Sequence, residues 1–106
     1  MPDPREQAWA VARWCGWERA RLDLFLDAQG NGVPSPRELP RSRDAMEFVE
    51  REIERRGLMK SYWKALNGVW CEQDAEPFQH FLIRATAAQR LQAAFEVIQK
   101  EVESVG

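Results

Sequence analysis

Between residues 8 and 15 apolar side chains recur at helical spacing, Ala8, Val11, Ala12 and Cys15, and this stripe defines the first element. The words before it form a helix start. Asp3 can accept from the free amides, Pro4 at the first helical position lacks only an N–H that would be orphaned anyway, and Glu6 closes a capping box. The helix is expected to end near Cys15, with Trp9 and Trp14 flanking its stripe and Gly16 as a left-handed stop. Further on, Leu22, Leu24 and Leu26 alternate with Asp23 and Asp27, the pattern of a half-buried strand with Phe25 out of phase; a helix there also stays open. Glycine, asparagine and the prolines Pro34, Pro36 and Pro40 make 29–40 a loop.

Ser42 caps a second helix that is expected to turn Ala45, Met46, Phe48, Val49 and Ile53 inward and to end at Gly57. Its outer face is charged, with Glu47–Arg51 and Glu52–Arg56 spaced as i,i+4 pairs that serve solubility more than stability. Residues 62–70 and 78–83 are aromatic and branched, which predicts two antiparallel strands joined through the polar stretch 72–77. A short helix from Ser61 is the alternative for the first, because Tyr62, Ala65, Leu66 and Val69 also fit helical spacing. Thr86 and Gln89 then form a capping box ahead of a core stripe of Leu91, Ala94, Phe95, Ile98 and Val102. The fold class these elements predict is α+β: one domain, 1–106, in which a small antiparallel sheet is packed by about three helices in a layered, α-β-α sandwich-like arrangement.

The 106 residues are 44% hydrophobic and 30% charged, enough for one core without a metal or disulfide. A net charge of -2 gives no basic excess for phosphates, so no nucleic-acid partner is expected. No basic stretch leads into an apolar run at the start, and nothing approaches the ~20 apolar residues of a membrane span. A cytoplasmic protein with no membrane partner, and with Cys15 and Cys71 reduced, is the expectation.

Three groups of residues invite chemistry. Asp27, Gln29, Asn31, Val33, Ser35 and Glu38 fall on the ligand positions of an EF-hand loop, with Gly32 at its sharp turn. That loop carries only two carboxylates, Pro34 removes the pairing amide, and Pro36 and Pro40 oppose an exit helix, so a tight turn at Gly30-Asn31-Gly32 is the preferred reading. His80 is the single histidine and the base that any scheme with Cys15 or Cys71 as nucleophile would need, or a ligand beside them. No spacing brings these residues together, and no catalytic residue or cofactor is assigned. The five tryptophans, Trp9, Trp14, Trp17, Trp63 and Trp70, are many for a chain this short. An exposed one would favour a protein contact.

Several words resemble the phage ABA sandwich domain, a small family of tailed phages and prophages. They are Val11-Ala12 before Gly16-Trp17, Asp27 before Gly30-Asn31, and Leu39-Pro40 leading through Ser42 to Asp44-Ala45-Met46. The most specific is Arg84-Ala85-Thr86-Ala87-Ala88-Gln89-Arg90 with Ala94 and Phe95 after it. The likeness runs from about residue 10 to 98. It departs at Arg41-Ser42-Arg43-Asp44, where members often carry an aromatic residue and a Ser/Thr-Asp pair. The resemblance implies helix-sheet-helix layering and a phage or prophage origin, and it implies no activity. The expected function is therefore a non-catalytic accessory protein of a host bacterial cell that binds another protein, a host or defence component being one class of target. Trp9, Trp14, Trp17, Arg41 and Arg43 are the candidate contact residues, and a homodimer would cover the edge of a short sheet. A calcium module on 27–38 and a Cys/His enzyme are the alternatives.

Overall fold

The structure, a computed structural model, describes residues 3–22, 24–73 and 85–105. Helix α1 spans Pro4–Trp14 and begins as its sequence dictates, with the Asp3 carboxylate accepting from the Glu6 amide at 2.9 Å. It ends in a Schellman motif: Gly16, at φ +82°, donates to the Arg13 carbonyl and Trp17 to that of Ala12. Helix α2, Arg43–Arg55, repeats both devices. Ser42 caps the Ala45 amide, and Gly57, at φ +74°, donates to Glu54 while Leu58 donates to Ile53. Both glycines hold a conformation that a Cβ would strain, which is why each stop was readable locally.

Strands β1 (Glu18–Arg21), β2 (Leu24–Leu26) and β3 (Gly32–Val33) form an antiparallel sheet in that order. The strand expected over 22–26 is thus shorter, and its inward face is the opposite one. Phe25 is only 3% exposed whereas Leu22 is 81% exposed and Leu24 points outward too. Parity decides this: β2 pairs Phe25 with both Arg19 and Val33, and the Phe25 ring meets Trp9 on α1 at 5.8 Å. Strand β1 was not anticipated, since all four of its residues are exposed and show no apolar alternation. Its bulge after Arg19 and its two arginines are features that discourage edge pairing.

Helix α3, Met59–Gln73, replaces the first of the two expected strands. The helical alternative prevails because Tyr62, Leu66 and Val69 recur on one turn-spaced face and all three are buried, while Trp63 on the other face is exposed. The second expected strand, 78–83, lies outside the described residues, as does His80. Helix α4, Ala87–Val105, opens with the capping box foreseen: Gln89 donates to Thr86 Oγ1 at 3.1 Å and accepts from the Thr86 amide at 2.9 Å. It is the hub of the core, packed by α1, α2 and α3. Leu91, Ala94, Phe95 and Ile98 are buried there with Ala93 and Val97, but Val102 is 60% exposed; on α2, Phe48 likewise faces solvent beside Arg51 rather than the core.

A part-buried polar knot lies at the margin of this apolar centre. The Tyr62 hydroxyl of α3 donates to Glu50 Oε2 of α2 at 2.6 Å, and Arg90 Nη1 of α4 donates to the same oxygen at 2.9 Å. Arg90 Nε also reaches the Ala85 carbonyl at 3.1 Å. Burial, with the Glu50 carboxylate beside it, pushes the Tyr62 phenol well above its ordinary range and keeps it a donor. The architecture is α+β, a three-stranded antiparallel sheet with four helices among the described residues, and none of these helices is long and apolar enough to cross a membrane.

Candidate functional site

Within the loop expected over 29–40, Gly32–Val33 pairs as strand β3, and Pro36–Glu38 folds back as a 3-10 turn that packs on α1. Ser35 caps it weakly, accepting from the Arg37 amide at 3.4 Å. Its apolar side is buried, Pro36 and Leu39 both being closed to solvent, and this leaves Arg37 and Arg41 on the outside. A cleft of about 250 Å³ lies between the turn and the start of α1. Ala8, half-buried Trp9 and Pro4 line it from α1, and Pro36 and half-buried Pro40 line it from the turn. Exposed Arg5, Arg37 and Arg41 complete the lining, which holds no carboxylate, and among the described residues none of these guanidinium groups joins an ion pair.

Trp9 is held from behind. Its ring meets Phe25 edge-on at 63°, and the Arg19 guanidinium lies 5.9 Å from the Trp9 centroid and 5.5 Å from that of Phe25. Such contacts fix the indole before anything binds and add a fourth arginine beside the cleft. The structure therefore unites Trp9 and Arg41 of the sequence-derived candidates and separates the others. Trp17, 7% exposed, is a core residue and offers no contact surface. Half-buried Trp14 has Arg56 over one face, its guanidinium 3.9 Å from the ring centroid and donating to the Trp14 carbonyl at 2.8 Å, and it lines a separate groove with Phe95, Ile98 and Val102. Arg56 is in turn held by Glu52, whose carboxyl is kept below its ordinary range by hydrogen bonds from Arg55 and then Arg56. Arg43 is exposed at the first turn of α2 and does not line the cleft. Arg5, Arg37 and Pro36 were missed, although the sequence carries a signal: Pro-Arg occurs three times, at 4–5, 36–37 and 40–41, and every copy lines this cleft.

The other candidate chemistry resolves differently. Asp27 sits in the loop between β2 and β3, where its carboxylate accepts from the amides of Asn31 and Gln29, both at 2.9 Å, and these bonds hold its pKa down. That is an Asx turn in which the oxygens serve the backbone. Among the described residues no three His, Cys, Asp or Glu side chains gather as a metal site. Cys15 is buried, and desolvation, aided by the Glu52 charge, pushes its thiol up to about 12, the opposite of an activated nucleophile. The Cys71 side chain lies outside the described residues. Compared with known proteins, the chain matches no family model, no curated protein and no solved structure.

Proposed function

We propose that this chain is a small, non-catalytic accessory protein of phage or prophage origin that works in the host bacterial cytoplasm by binding another protein, with a host or defence component as the class of target. The origin rests on the ordered words shared with the phage ABA sandwich family, and the α+β architecture is compatible with that likeness. The mode of action rests on one observation, the arginine-lined cleft with its apolar floor. Among the described residues the arrangement gives the fold no ion pair and leaves an indole half open, which supports a use in binding another molecule. Buried Cys15 and the backbone-bound Asp27 support neither an enzyme nor a calcium module.

The test is site-specific photo-crosslinking in bacterial cells. A crosslinking residue at position 37 should capture one discrete protein, and the same residue at Lys60 on α3 should not. Equal capture at both positions, or none at 37 across phage infection and prophage induction, refutes the reading.

A further inference from the structure

We propose that the cleft receives an acidic segment of the partner protein, seating one bulky apolar side chain on the Trp9 and proline floor while flanking carboxylates pair with Arg5, Arg37 and Arg41. This rests on reading the chain as a protein-binding module and adds the chemistry of what it binds. The first support is charge. In a chain of net charge -2, the cleft lining among the described residues has three arginines and no carboxylate, the nearest acids, Asp3 and Glu6, lining the adjoining groove that shares Arg5 and Trp9. Guanidinium is the group that meets carboxylates in a planar, bidentate fashion. The second is size: about 250 Å³ falls below the roughly 300–1,000 Å³ of small-molecule sites, and suits a side-chain anchor instead of a cofactor.

The third is rigidity. In each Pro-Arg pair the proline fixes its own φ and supplies an apolar ring, and the arginine follows at once. With Trp9 held by Phe25 and Arg19, the apolar floor is set before binding and the ordering left to bear is that of the exposed arginine side chains. A nucleic acid fits less well, because one indole among proline rings offers no succession of stacking faces and three arginines around a small cleft make no extended track for a phosphate backbone.

The experiment is fluorescence anisotropy with a fluorescein-labelled synthetic peptide whose central tryptophan is flanked on both sides by paired glutamates, beside a copy with lysines for glutamates. The acidic peptide should bind and the basic one should not. Arg37→Gln and Arg41→Gln should each weaken it about fivefold, the size of a partly exposed ion pair. Arg37→Glu with Arg41→Glu should abolish binding of the acidic peptide and permit the basic one. Lys60→Glu with Lys64→Glu, which alters net charge equally at exposed positions of α3, should stay within about twofold of wild type, and circular dichroism of each variant confirms folding. Equal loss in the α3 control, tighter binding of a single-stranded oligonucleotide, or no binding of the acidic peptide at millimolar concentration would overturn the proposal. Crosslinking of a protein at position 37 together with failure of the acidic peptide rejects the acidic segment and leaves the protein-binding reading standing.

Discussion

Replacing Glu50 by alanine should destabilise the fold by about 3 kcal/mol, far more than an ordinary glutamate on a helix surface. Glu50 Oε2 accepts from the Tyr62 hydroxyl at 2.6 Å and from Arg90 Nη1 at 2.9 Å, so one oxygen ties α2 to both α3 and α4. A hydrogen bond to a charged group is worth about 1.5–3 kcal/mol. The Glu50 and Arg90 side chains keep 20% and 14% of their exposure, so some hydration survives and the lower end applies to each bond. Two bonds at about 1.5 kcal/mol give the total. Tyr62→Phe removes one donor and leaves the Arg90 bond, at about 1.5 kcal/mol, and Glu50→Gln, which can still accept but carries no charge, should fall between. For a domain this size Glu50→Ala should lower Tm by roughly 12 °C. Urea denaturation followed by helical circular dichroism at neutral pH measures all three, with an unchanged slope confirming that the denatured state is unaltered. Two results would refute the reasoning. A Glu50→Ala cost under about 0.5 kcal/mol would mark it as a surface position, and a Tyr62→Phe cost equal to that of Glu50→Ala would locate the whole effect in the phenol.

Three further outcomes follow from the same structure. Because the Cys15 thiol titrates near 12 when folded and 9.0 otherwise, the unfolded chain loses this proton first, and stability present below pH 9 declines as pH rises. Wild type should lose about 2 kcal/mol by pH 10.5 relative to Cys15→Ala, and parallel urea midpoints in the two proteins would count against it. Phe25→Ala should cost about 3–4 kcal/mol in thermal melts, whereas Leu24→Ser should cost under about 0.5 kcal/mol; the reverse order would mean that β2 presents its other face. Thr86→Ala removes the cap of α4 and should cost about 1 kcal/mol, seen also as faster hydrogen exchange at the Gln89 amide.

What could be read from the sequence was local. The starts of α1, α2 and α4 and the stops of α1 and α2 each depend on residues within one turn, so Asp3, Ser42, Thr86, Gly16 and Gly57 announce them. What could not be read depends on distant partners. Residues 62–70 satisfy both a strand composition and a helical period, and the burial of Tyr62, Leu66 and Val69, with Glu50 waiting 12 positions upstream, decides for helix. Strand β1 has no apolar face of its own and exists because β2 pairs with it. Phe48 and Val102 mark the edges of stripes whose width is set by the helix packed against them, a quantity no single helix encodes.

The cleft shows the same division most plainly. Its three Pro-Arg pairs stand in plain view, but proline in the stretch 29–40 reads as punctuation and arginine as a solvated charge, because neither property looks beyond its neighbours. The step that joins residue 5 to residues 37 and 41 is the docking of the 3-10 turn on α1, and that step is driven by Pro36 and Leu39 going under. Two apolar residues three positions apart define which side of the turn is down. The arginines one place after Pro36 and two places after Leu39 are then left outside with no choice of side. Burial of the turn and presentation of the arginines are therefore one event, so the cleft exists whenever the core is intact, with no hinge or induced ordering needed to assemble it.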